Sequence, residues 1–139
     1  MPIGNCWRWA LPPGRSTTIP PTSLPGVPVV FLHGAHDACL RVQSARDYAR
    51  RAWQNGARRL SYWEIENVLH FDTFLGQPAY GTRFLPLLPY FYSALDQLSA
   101  HLDGGPAPAP SQVLRTRRRA ATDDGVEALT SEHLGGALT

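Results

Sequence analysis

Apolar and polar positions mark out several patterned stretches of this chain, separated by prolines and glycines. VPVVFL, Val27 to Leu32, is β-branched and apolar on both faces. A strand with helices over both sides of a parallel sheet has that pattern, so the stretch predicts a central strand rather than an edge. It runs into His33 and Gly34, and a carboxylate follows at Asp37. Past this turn Val42, Ala45, Ala49, Ala52 and Trp53 recur at three- and four-residue steps, with Arg46, Asp47, Arg50 and Arg51 on the other face. The spacing predicts one amphipathic helix, stopped at Asn55-Gly56.

LSYWEIE, Leu60 to Glu66, is rich in β-forming residues and reads as a second strand, reached by a strand-helix-strand crossover. Two parallel strands follow from that connection. Asn67 to Pro86 is expected to be a loop. Leu88, Phe91, Leu95, Leu98 and Leu102 then form a helical stripe closed by Gly104-Gly105. The flanks differ. Residues 1 to 26 carry six prolines among Ser, Thr and Gly and read as an irregular leader. PAPAP, Pro106 to Pro110, reads as a stiff spacer, and the chain beyond Arg119 lacks periodicity and aromatic residues, which predicts disorder. The expected organisation is therefore a leader over 1–26, a partial α/β domain over 27–105, and a spacer with a flexible tail over 106–139.

Composition narrows the class. With 139 residues, 43% hydrophobic and 17% charged, the chain suits one modest globular unit. A net charge of +2 is too small for the whole surface to attract nucleic acid or anionic lipid. The two cysteines, Cys6 and Cys39, lie far apart without neighbouring histidines, so neither a disulfide framework nor a metal site is expected, and no cofactor is predicted. No apolar run reaches the ~20 residues of a membrane-spanning helix, so a soluble chain is expected. Before the prolines around Trp7 and Trp9 there is no basic start leading into an apolar stretch, so no export signal is read.

Asp37 follows the first strand and His70 follows the second. In an open parallel sheet, side chains beyond the carboxyl ends of neighbouring strands converge on one crevice. An Asp accepting from one imidazole nitrogen fixes the tautomer and leaves the other nitrogen to take a proton from a nucleophile. The plainer reading makes Asp37 a turn residue and His70 a structural group beside Phe71. His33 and His36 compete with His70, and Asp72 competes with Asp37. His33 is expected to pack or bond to backbone, and Asp72 to cap or bond the following loop. No G-x-S-x-G elbow is present. Ser16 and Ser23 sit in the leader, and Cys39 defaults to a small buried residue.

Four segments then carry a resemblance: HGAHDA at 33–38, NVLHFDTFL at 67–75, YGTRFLPLLPYF at 80–91 and PSQVLRT at 110–116. From about Val27 to Arg119 the chain resembles the C-terminal part of the D-(-)-3-hydroxybutyrate oligomer hydrolases. The resemblance implies part of an α/β-hydrolase-like serine esterase that cleaves 3-hydroxybutyrate dimers and oligomers during polyhydroxybutyrate breakdown. Asp37 would match the family's strand-end acid and His70 the histidine of its HFD segment. The nucleophilic Ser would belong to a region outside this chain, which alone should be inactive. Two positions depart from the family: no proline follows Asp37 closely, and Gly81 stands where an acidic residue is usual. The implied partners are an ester substrate and the N-terminal part of the enzyme, without a membrane. The implied location is extracellular or periplasmic, with a cytoplasmic one as the alternative. A second reading takes RTRRR, Arg115 to Arg119, as a mobile basic tail that contacts nucleic-acid phosphates.

Overall fold

The computed structural model describes residues 26–135, so all of the expected leader except Gly26 lies outside the described residues. Strand β1, Val29–Gly34, leads into helix α1, Val42–Gln54, which returns the chain to β2, Leu60–Ile65. The two strands are parallel, with Val29 beside Leu60 and His33 beside Glu64. The predicted crossover is therefore present, and the unit is α/β.

Alternation along the strands builds two cores. Val29, Phe31, Leu60 and Tyr62 face α1 and pack on its buried Ala45, Ala49 and Ala52. These alanines let the helix backbone approach the sheet closely. Val30, Leu32, Trp63 and Ile65 point the other way, onto Tyr90 and Ala94 of α3, Leu88–Leu102. The apolar character of β1 on both faces thus has a partner on each side.

Two expectations are corrected. The sheet order is β1-β2-β3, so among the described residues β1 is an edge and β2 is central. Two-sided burial by helices makes a strand apolar whether or not both its edges are paired, so the pattern could not separate the cases. The predicted helix α3 is present, and its apolar stripe is not its buried side. Leu88, Phe91, Leu95 and Leu102 are exposed, and the helix buries Tyr90 and Ala94 instead. The face turned to β2 is set by Trp63 and by Leu134 from far along the chain.

The second correction concerns residues 106–135 of the expected spacer and tail. Gln112–Leu114 forms β3, parallel to β2, with Glu64 beside Val113. The proline segment before it is held by the Trp63 indole, which donates to the Ala109 carbonyl at 3.2 Å, and by the Ala109 amide, which donates to Gln97 at 2.8 Å. Beyond β3 a small hairpin pairs β4, Ala121–Thr122, with β5, Gly125–Val126. His133 and Leu134 then return to the core, both buried. The Tyr90 hydroxyl donates to the Leu134 carbonyl at 3.1 Å, and burial pushes its pKa up to about 12. Long-range contacts order this stretch where local periodicity is lacking. Among the described residues no helix is long and apolar enough to cross a membrane.

Candidate active site

The carboxyl ends of β1 and β2 lie side by side, and the loops leaving them cross. Beyond β2 the chain turns at Asn67, whose φ of 53° lies in the left-handed region that Asn tolerates better than most residues. Its side chain anchors the turn, donating from Nδ2 to Thr116 Oγ1 at 2.9 Å and accepting from Arg118 Nε at 3.0 Å. Val68 to His70 are thereby directed over the tip of β1, where the His36 amide donates to the Val68 carbonyl at 3.1 Å. Asn67 was missed in the sequence. Its signal was an Asn directly after a strand.

Asp37 is held by its own turn. Its Oδ1 accepts the amides of Cys39 at 2.7 Å and Leu40 at 2.8 Å, and its Oδ2 lies 2.7 Å from His70 Nδ1. The carboxylate side chain is 2% exposed and the imidazole 36%. With Asp37 Oδ2 as acceptor, a neutral His70 would carry its proton on Nδ1 and present the Nε2 lone pair. The Phe71 ring meets the imidazole edge-on at 4.3 Å between centroids, which limits its rotation. A buried acid bonded to a half-exposed imidazole can orient it and stabilise its protonated form.

The competing residues take other roles. His33 Nε2 is 3.1 Å from the Leu40 carbonyl, the backbone role expected of it, and 4.0 Å from Asp37. Asp72 accepts the amides of Leu87 at 2.8 Å and Leu88 at 3.1 Å, supplying the start of α3 with the acceptor that Leu87 lacks. His36 stays in the crevice, 6.0 Å between ring centroids from Phe84.

Beneath β1 and β2, on the α1 side, a polar group supports the strand tips. Arg46 forks onto Glu64, with Nε donating at 2.8 Å, and the Tyr62 hydroxyl donates to the same carboxylate at 3.1 Å. The Arg46 hydrogen bond holds the Glu64 carboxyl below its ordinary pKa despite burial. Arg46, on the polar face of α1 as expected and still about half exposed, is this group's cation.

His70 opens on a groove of about 540 Å³ with aromatic walls from Phe71, Phe74, Tyr80 and Phe84. Its far side comes from the Asn67–Pro86 segment, which is not a plain loop but holds a 3-10 turn, Asp72–Phe74, and the short helix α2, Pro78–Gly81. Gly81 has no room for a side chain there, since a Cβ would lie 2.6 Å from the Leu75 carbonyl oxygen. The basic run is not a free tail. Arg115 pairs with Glu66 at 2.7 Å, Arg117 with Glu132 at 3.5 Å, and Arg118 with Asn67.

Fold and site together define an α/β protein with an Asp–His pair at adjacent strand tips, open to an apolar groove. A family model described as 3HB-oligomer hydrolase matches residues 11–137, and the chain belongs to that family. It is similar to D-(-)-3-hydroxybutyrate oligomer hydrolases from Paracidovorax citrulli, 42% identical over 81% of this chain, and Cupriavidus necator, 41% identical over 81%. The relative of the same name from Ralstonia nicotianae is 37% identical over 94% of the chain. The chain spans 16–18% of the length of these relatives. No solved structure matches it.

Proposed function

We propose that this chain supplies the acid and base of a serine esterase acting on linear esters of 3-hydroxybutyrate, within an α/β-hydrolase-like sheet. The observation that carries the reading is the 2.7 Å contact between Asp37 and His70 at neighbouring strand ends, on the wall of an apolar groove. The names of the relatives supply the substrate class.

The chemistry is acyl transfer in two halves. A serine oxygen attacks the ester carbonyl while His70 Nε2 takes its proton, and the proton then passes to the departing hydroxyl of one hydroxybutyrate unit. Water next attacks the acyl-serine ester, giving a proton to His70. That proton returns to the serine oxygen as the acid product leaves. Asp37 stabilises the imidazolium in both halves.

Among the described residues no serine lines the groove, and in this reading the nucleophile is supplied by the rest of the enzyme. Two features support a larger assembly: the unpaired edge of β1 among the described residues, and the exposed apolar side chains Leu88, Phe91 and Leu95 of α3. An enzyme that meets oligomers released from a polymer outside the cell belongs in the extracellular or periplasmic space, which fractionation of the source cells would check.

The deciding experiment mixes the purified chain with the Cupriavidus necator relative truncated before its matching segment, and follows release of 3-hydroxybutyrate from the dimer. Turnover should need both parts and disappear with His70→Ala. Turnover that survives that substitution defeats the reading.

A further inference from the structure

We infer that Arg83 binds the free carboxylate end of the oligomer, so that the groove selects acids over neutral esters of the same length. The inference rests on the ester-hydrolase reading for its substrate class and deepens it. Among the described residues the groove's lining holds no Asp or Glu, and its one permanent charge is the Arg83 guanidinium. Among the described residues no carboxylate lies within ion-pair distance of this arginine, whereas Arg46, Arg50, Arg115 and Arg117 each have one. The guanidinium lies over the Phe84 ring, 5.3 Å from its centroid. Stacking there covers one face of the planar group and leaves its N–H edge for a planar anion.

Position adds to charge. The Arg83 amide donates to the Tyr80 carbonyl at 2.9 Å, fixing the residue just after α2, where it lines the same groove as His70. A 3-hydroxybutyrate oligomer has methyl and methylene groups along its length and one carboxylate at its end. Aromatic walls suit the first and an unpaired guanidinium the second. An interior stretch of polymer has no carboxylate to offer. Anchoring that end therefore favours short chains and places an ester bond near the acid terminus in the same groove as His70.

The test is binding, measured on the full chain by NMR titration with the linear 3-hydroxybutyrate dimer as free acid and as methyl ester. The acid should bind about tenfold or more tighter than the ester, the scale of a charge-assisted hydrogen bond. Arg83→Gln should abolish that preference, and His70→Ala should keep it. Circular dichroism confirms that each variant is folded, as expected for an exposed arginine. Equal binding of acid and ester, absence of saturable binding, or a preference that persists in Arg83→Gln overturns the inference. None of these outcomes depends on turnover, so the assignment of His70 can fail while Arg83 stands, and the reverse.

Discussion

Gly34, at the tip of β1, lies directly against the backbone of Val68: a Cβ at position 34 would sit 2.5 Å from the Val68 carbonyl oxygen. That carbonyl also accepts the His36 amide, so the approach of the two backbones is what brings the Asp37 turn and the His70 segment together. The neighbour is main chain and cannot swing aside. Gly34→Ala should cost about 1–3 kcal/mol, the scale of overpacking. It should also perturb the His70 Nδ1 proton resonance. Urea denaturation and proton NMR read the two effects, and a variant unchanged in both would show that this approach does not set the site.

Glu64 gives the fold a pH dependence. Its carboxyl is held below the ordinary value, first by the Arg46 hydrogen bond, against the opposing effect of burial. A carboxyl with a lower pKa folded than unfolded adds stability that is complete above the unfolded value and is lost as pH falls through the folded one. Stability of the chain should therefore fall as pH drops below the ordinary glutamate range and through the lowered folded value. Glu64→Gln should remove this group's share of the fall and cost about 1–2 kcal/mol near neutrality, because the amide keeps one acceptor oxygen but turns a donor, without charge, toward Arg46 and Tyr62. Denaturation midpoints across pH check both statements.

The contrast between readable and unreadable parts follows from the range of the forces. β1, α1 and β2 run for at least six residues each, so the local composition of the strands and the period of the helix reveal them. α3 was also readable as a helix, yet its buried side was not, since Tyr90 and Ala94 are chosen by Trp63 and Leu134, which local period does not report. β3 has three residues and no period to show. Asp37 and His70 were legible because strand ends in a parallel sheet share a crevice, whatever lies between them. The groove facing them was not, because its walls come from a segment with no repeat.

The stretch read as a disordered tail makes a third prediction. His133 is fully buried; its Nδ1 accepts from the Thr130 amide at 3.1 Å, and its Nε2 lies 3.2 Å from Glu127. His133→Ala leaves the Thr130 amide without that acceptor and opens a void beside Leu134, a loss of about 2 kcal/mol. The hairpin should loosen, and trypsin should cut faster after Arg115 to Arg119. The Ala120 amide, and then His133, hold the Glu127 carboxyl below its ordinary value. Acid should likewise loosen the hairpin as pH falls through that lowered value, read as faster cutting of this stretch by an acid-active protease. Cleavage unaffected by His133→Ala would mean that the hairpin is held elsewhere.

Asp37→Asn separates the role of charge from that of shape. In this variant the side-chain oxygen can still accept the Cys39 and Leu40 amides, so the turn should survive. The amide NH2 would then face His70 Nδ1, where the carboxylate Oδ2 now lies at 2.7 Å. A donor there forces Nδ1 to accept and moves the imidazole proton to Nε2, the nitrogen that must take the serine proton. The base is occupied, and its protonated form loses its counter-charge. In the reconstituted enzyme, turnover of the dimer should fall by about four orders of magnitude, as for loss of a triad acid. Stability should change by less than about 1 kcal/mol, since both turn hydrogen bonds remain. Nitrogen-15 shifts of His70 should report the exchanged tautomer. Full turnover with the exchanged tautomer would remove Asp37 from the mechanism, whereas full turnover with the original tautomer would mean that the imidazole is oriented by another group.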